Sequence, residues 1–94
     1  MKAIVVETPG GVDVLKPQIV PDPVAGPQDV VIKVDSCGVC FHDIVTRNGT
    51  LKAGVKMPLI LGHEIAGTVV EVGSRVTKFR PGERVATTQR YHIC

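Results

Sequence analysis

The chain has 94 residues, of which 44% are hydrophobic, so it can form a single domain with a small core. Its net charge of +2 comes from basic residues scattered among acidic ones, and only 3% of its residues are aromatic. A nucleic-acid-binding protein is expected to carry a basic stripe and aromatic stacking platforms, so this composition argues against that class. No apolar run approaches the roughly 20 residues that a membrane-spanning helix needs, which argues against a membrane partner.

The N-terminal residues "MKAIVVE" predict a strand rather than a signal peptide, because a short apolar run is followed directly by acidic Glu7. We therefore expect a cytoplasmic protein. Stable disulfides are rare in a reducing compartment, and the odd number of cysteines, three, also argues against a disulfide framework.

The segments between the Gly- and Pro-rich turns are short and rich in β-branched residues, which is typical of strands. We predict strands over residues 1–7, 15–20, 29–37, 65–72 and 84–88. The second of these is predicted to be an edge strand, because Pro17 cannot donate a hydrogen bond to a neighbour. Short strands joined by tight turns favour a mainly β fold, as a small barrel or sandwich.

One short helix is predicted at about 41–48. Its apolar residues Phe41, Ile44 and Val45 are spaced i, i+3, i+4, which is typical of a helix, and Asn48-Gly49 supplies the C-terminal stop. No GxGxxG sequence follows any predicted strand, so these residues contain no dinucleotide-binding fingerprint.

The stretch "VDSCGVCFHDIVTRNG" places two thiols at the end of the third predicted strand and the start of the helix. The thiolate, which is the form that binds metal, is favoured at a helix N-terminus, and this makes Cys40 the better candidate ligand of the pair. Asp43 would then lie on the same helical face as Cys40, and His42 on the opposite face. By itself the CxxC spacing leaves a metal site, a thioredoxin-like redox pair and simple packing as alternatives.

His63 is the histidine with the most informative surroundings, in "LILGHEIAGTVVEVG". It follows an apolar run and Gly62, at which the backbone can approach other groups closely. An imidazole beside an apolar run requires a partner. That partner is either a backbone carbonyl, as for a histidine at the edge of a core, or a metal ion.

Taken together, "CGVCFHD", "GHEIAGTVVEVG" and "FRPGERV" resemble the zinc-dependent alcohol dehydrogenase branch of the medium-chain dehydrogenase/reductase superfamily. The resemblance also covers "MKAIVV" and "DVVIKVDSCGVC", and so nearly the whole chain. It implies that residues 1–94 are the N-terminal part of a GroES-like catalytic domain, a partly open antiparallel barrel that is incomplete at the C-terminus. The Rossmann domain that binds NAD or NADP would be absent from this chain.

The resemblance also implies roles for individual residues. Cys40 and His63 match two ligands of the catalytic zinc, and a third ligand is expected downstream. Asp43 matches the carboxylate that orients the ligating histidine, and Glu64 matches a carboxylate close behind the zinc. Cys37 falls at a variable position, and we interpret it as a packing residue. Zinc held in this way polarises the oxygen of a small-molecule substrate while hydride moves to or from the nicotinamide. The parent enzyme is also expected to be a homo-oligomer.

Three positions depart from the family pattern. His42 stands where many relatives have the Ser or Thr that begins a proton relay, so it is a candidate relay residue or a surface histidine. Val45 replaces a relay histidine, and Phe41 replaces a basic residue that meets the cofactor phosphates. These departures leave zinc binding intact but do not restrict the substrate to simple alcohols, and reduction of an activated double bond stays an alternative.

Cys94 lies where many relatives begin a lobe of four cysteines that holds a structural zinc. It is therefore a candidate ligand of that second zinc, with an unligated thiol as the alternative. The other three cysteines, the third catalytic ligand and the cofactor domain lie outside these 94 residues. We expect the isolated chain to have no dehydrogenase activity and to bind zinc weakly or not at all.

A hypothesis from another class is a small co-chaperonin, which has about this length and the same fold. The segment "GTVVEVGSRVTKFRPGERV" resembles its barrel portion, and the chain would then be a ring-forming interaction module. That hypothesis leaves "CGVC", "GHE" and Asp43 unexplained.

Overall fold

The computed structural model describes residues 1–87, which form two compact units. The first unit comprises Met1–Pro21 and Val39–Gly62, and the second comprises Asp22–Gly38 and the residues from His63 onwards. The strands are β1 (Lys2–Val6), β2 (Lys16–Ile19), β3 (Val30–Gly38), β4 (Leu59–Ile60), β5 (Glu64–Val72) and β6 (Arg84–Ala86). One α-helix, α1 (Phe41–Arg47), and one short 3-10 helix (Val12–Val14) complete the described elements. The prediction of a mainly β fold with one short helix is confirmed.

The first unit is built on an antiparallel sheet with the order β2-β1-β4. Central β1 carries the buried Val5 and Val6, which are 6% and 0% exposed. Strand β2 lies at the edge of this sheet, as its proline predicts, and Pro17 is paired with Ile4. Strand β4 has two residues and was not predicted, because so short a segment has no recognisable period.

Helix α1 begins and ends where the sequence predicts. The N–H of Asn48 donates to the carbonyl of Ile44 at 3.0 Å, and Gly49 follows with a φ of +87°. Glycine adopts this left-handed conformation without a steric cost, which explains the stop. Among residues 1–87, no helix is long and apolar enough to cross a membrane.

The apolar residues of α1 are not its buried residues. Phe41 is 74% exposed and Ile44 is 40% exposed, whereas Asp43 and Thr46 are buried at 6% and 3%. Burial of these polar side chains is tolerated because each forms a hydrogen bond within the helix or its cap. The spacing of the apolar residues therefore identified the helix but not the side of it that packs.

The second unit is built on an antiparallel sheet with the order β3-β5-β6. Its central strand β5 carries Val69, which is 1% exposed, and buried Gly67. A Cβ atom at Gly67 would collide with the carbonyl oxygen of Lys33, so this close approach of β3 and β5 requires glycine. The pairing of β3 with β5 ends at Gly38 opposite Glu64, which places His63 immediately before the sheet.

Candidate metal site

Cys40 occupies the N-cap of α1, with extended backbone angles of φ −121° and ψ 174°. Its backbone N–H donates to Oδ2 of Asp43 at 3.1 Å, and the N–H of Asp43 donates to the carbonyl oxygen of Cys40 at 3.1 Å. The side chain of Cys40 in turn contacts the backbone N–H of Asp43, and the two reciprocal contacts between side chain and backbone form a capping box. Because both backbone groups of Cys40 are held, the direction in which its side chain leaves the chain is held as well.

Further hydrogen bonds hold α1 internally and at its C-terminal end. The hydroxyl of buried Thr46 donates to the carbonyl oxygen of His42, one turn earlier in the helix, at 2.7 Å. At the C-terminal end, Nε of Arg47 donates to the carbonyl of Gly10 at 3.3 Å, and the N–H of Gly10 donates to the carbonyl of Arg47 at 2.9 Å. The end of the helix opposite Cys40 is therefore anchored to another segment of the first unit.

His63 is half-buried and lies at the start of β5 in the second unit. It follows Gly62, whose φ of +110° lies in a region that L side chains rarely adopt. The hydroxyl of Thr87 donates to the carbonyl oxygen of His63 at 3.1 Å and accepts from the N–H of Ile65 at 3.3 Å. The sequence did not indicate Thr87, because no motif in "RVATT" separates it from an ordinary strand residue.

Glu64, the first residue of β5, is exposed and lies opposite Gly38. A Cβ atom at Gly38 would collide with the Glu64 carboxylate, so this glycine leaves room for the acidic side chain. Next to it on β3, Cys37 is exposed, with its Sγ 3.6 Å from the carbonyl oxygen of Gly38. The interpretation of Cys37 as a packing residue is therefore wrong, because this end of β3 has no covered face.

The predicted site residues thus fall into two groups. Cys40, His42 and Asp43 lie together at the start of α1 in the first unit, and His63 and Glu64 are adjacent at the start of β5 in the second unit. The binding of one ion by Cys40 and His63 stays a prediction, as does a proton-relay role for half-buried His42. The orienting role of Asp43 toward a histidine and the position of Glu64 behind a metal are likewise untested. Cys94 lies outside the described residues.

Comparison with known proteins adds a family match. Residues 26–94 match the family described as "Alcohol dehydrogenase GroES-like domain". Over 85 residues the chain is 42% identical to an acryloyl-coenzyme A reductase from Sulfurisphaera tokodaii, with 90% of this chain and 25% of the relative covered.

Solved structures agree with the family match. The crystal structure of AibC superposes with a TM-score of 0.91 and 43% identity, covering 96% of this chain and 25% of that protein. A thermostable alcohol dehydrogenase from Pyrobaculum aerophilum, solved with bound cobalt and zinc, superposes with a TM-score of 0.83 and 38% identity. That match covers 92% of this chain and 26% of the dehydrogenase. The chain therefore spans about a quarter of the length of the relatives it matches.

Proposed function

This chain belongs to the family of alcohol dehydrogenase GroES-like domains, and from that premise we propose that it contributes the zinc-binding part of the catalytic domain of an oxidoreductase. The parent enzyme transfers hydride between a nicotinamide cofactor, NAD or NADP, and a small-molecule substrate. The observation that carries the proposal is the capping box of α1, which fixes the backbone of a half-buried cysteine through a buried carboxylate.

Cys40 and His63 are the proposed zinc ligands. A thiolate sulfur and an imidazole nitrogen are donors that catalytic zinc sites use, so the chemistry of this pair fits the ion. Both side chains are half-buried, which allows a ligand to reach them from solvent. When bound, zinc supplies a Lewis acid toward the oxygen of an alcohol or carbonyl compound.

The neighbouring residues have supporting roles in this proposal. Asp43 holds the backbone of Cys40 and, as family resemblance implies, orients the ligating histidine through its carboxylate. His42 lies one residue before Asp43 in the first turn and is the candidate proton-relay residue. Glu64 follows the proposed ligand His63 directly, so both side chains leave the main chain at the N-terminal end of β5.

The substrate class follows from the relatives only in outline. They include an alcohol dehydrogenase and an acryloyl-coenzyme A reductase, so both alcohol oxidation and reduction of an activated double bond are supported by similar proteins. The co-chaperonin hypothesis is disfavoured, because the family match is to a dehydrogenase domain and the capping box involves residues that a ring-forming module does not need.

A chimeric enzyme tests the proposal. Residues of this chain would replace the matching quarter of the Pyrobaculum aerophilum alcohol dehydrogenase, and the metal content and alcohol oxidation of the chimera would be measured. We expect Cys40→Ser and His63→Ala to abolish activity and to lower the metal content by one ion per chain. Cys37→Ser is the matched control, because this exposed thiol lies three residues before Cys40, and we expect it to have no effect.

A chimera that is active and keeps all of its metal after both substitutions would contradict the proposal. An equal loss of activity and metal content in Cys37→Ser would show that the effect is not specific to Cys40.

A further inference from the structure

The hydroxyl of Thr87 joins two main-chain groups that flank Glu64. It donates to the carbonyl oxygen of His63 at 3.1 Å and accepts from the N–H of Ile65 at 3.3 Å. The backbone N–H of Thr87 also donates to the carbonyl of Ile65 at 2.8 Å. Three hydrogen bonds from one residue therefore hold the segment in which His63 lies.

These bonds continue the sheet beyond the end of its backbone ladder. Strand β6 ends at Ala86, which pairs with Ala66 of β5, and Thr87 is the next residue along the chain. On the other side of β5, the pairing with β3 ends at Glu64. His63 therefore lies one residue before the last paired position, and the Thr87 hydroxyl is the group on the β6 side that reaches its backbone.

The residue before His63 makes this contact more important. Gly62 has a φ of +110° and, having no side chain, restricts its own backbone less than any other residue would. A glycine does little to fix the orientation of the residue that follows it. The hydrogen bonds of Thr87, which follows β6, restrict the backbone of His63 from a part of the chain that is distant in sequence.

We propose that Thr87 is a positioning residue for His63: its hydroxyl fixes the peptide group between His63 and Glu64, and with it the main chain from which the His63 side chain leaves, before a metal ion binds. The proposal rests on the proposed function, in which this imidazole is a zinc ligand. A ligand that is oriented in advance loses less conformational freedom when it binds, and groups outside the ligand set commonly supply this orientation.

Two substitutions separate the hydroxyl from the rest of the side chain. Thr87→Val keeps the β-branched shape and removes the oxygen, so the His63 carbonyl and the Ile65 N–H both lose that partner. Thr87→Ser keeps the oxygen and removes the methyl group. An effect of the hydrogen bonds should appear in the first variant and be absent from the second.

The experiment uses the metal-free 94-residue chain and measures the three-bond HN–Hα couplings of His63 and Glu64 by NMR, which report the main-chain φ angles beside the peptide group that Thr87 binds. We expect the wild-type couplings to be kept in Thr87→Ser and to become averaged in Thr87→Val. The amide of Ile65 should exchange with solvent about 10-fold faster in Thr87→Val, since a hydrogen bond of this kind typically contributes a factor of that size.

Averaged couplings in the wild-type chain, or wild-type couplings in Thr87→Val, would overturn the proposal. Should Thr87→Val fail to fold, Thr87→Ser decides: wild-type couplings there support the proposal, because the hydroxyl is then sufficient, and averaged couplings overturn it. Failure of the proposed function is a separate result: the chimeric enzyme would keep its metal without Cys40 and His63, whatever the main-chain couplings of His63 in the metal-free chain.

Discussion

The carboxylate of Asp43 accepts the backbone N–H of Cys40 at 3.1 Å, and the backbone N–H of Asp43 donates to the carbonyl of Cys40 at 3.1 Å. Helices usually begin with Ser, Thr, Asp or Asn, whose side-chain oxygen caps the first turn. A cysteine in that position is a weak hydrogen-bonding group. The buried carboxylate of Asp43 holds the backbone N–H of this cysteine from the other side of the capping box. The arrangement leaves a sulfur at the start of the helix, where an ordinary cap would place an oxygen.

Removing this carboxylate should destabilise the first unit. We expect Asp43→Ala to lower the free energy of unfolding by about 1–2 kcal/mol, because the capping box loses its carboxylate and the N–H of Cys40 loses its acceptor. Urea unfolding followed by circular dichroism measures the change. Asp13→Ala is the control, since Asp13 is exposed and lies outside α1, and it should change stability by no more than about 0.5 kcal/mol. Equal effects of the two substitutions would contradict the structural role of Asp43.

The exposure of Phe41 gives a second prediction. Phe41 is 74% exposed and Val69 is 1% exposed. Phe41→Ser should therefore change the free energy of unfolding by no more than about 0.5 kcal/mol, whereas Val69→Ala should lower it by about 2 kcal/mol. The same urea unfolding experiment applies. A loss of stability in Phe41→Ser as large as that in Val69→Ala would contradict the exposure of Phe41.

The close approach of β3 and β5 gives a third prediction. Gly67→Ala would push a methyl group into the carbonyl oxygen of Lys33, and we expect it to lower stability by roughly 3 kcal/mol or more, or to prevent folding of the second unit. Gly11→Ala is a suitable control, because Gly11 is exposed and its added Cβ atom would meet only the side chain of Asp13, at 3.1 Å. Amide proton dispersion of β5 in NMR spectra measures the outcome. A well-folded Gly67→Ala chain of unchanged stability would contradict this packing.

The isolated chain should bind zinc weakly. Catalytic zinc sites have three protein ligands, and the proposal assigns two of them, Cys40 and His63, to the described residues. Calorimetric titration of the 94-residue chain with zinc should therefore show no tight one-to-one binding. A tight site that disappears in Cys40→Ser would mean that a third donor lies within these residues.

The strands and the helix could be predicted because each is encoded locally. Runs of β-branched residues between Gly- and Pro-containing turns predicted β1, β3 and β5, and Asn48-Gly49 predicted the end of α1. The two-residue strand β4 could not be predicted, because it is defined by its pairing with Val5 and Val6 rather than by a pattern of its own.

The site was less predictable than the fold, because part of it depends on contacts between segments that are distant in the sequence. The sequence indicated Cys40, Asp43 and His63 as candidates, because their residue types carry the chemistry. It did not indicate Thr87, whose contribution depends on the register of β5 and β6. Nor did it show which side of α1 packs, because the burial of Asp43 and Thr46 depends on hydrogen bonds that spacing does not show.

The most direct test of the central claim asks whether one ion contacts both proposed ligands. The chimera with the Pyrobaculum aerophilum enzyme would be loaded with 113Cd in place of zinc, and scalar couplings from the metal to protein protons would be measured by NMR. We predict that one 113Cd resonance couples both to the β protons of Cys40 and to a ring proton of His63. A 113Cd resonance coupled to Cys40 with no coupling to His63, or to neither residue, would contradict the account.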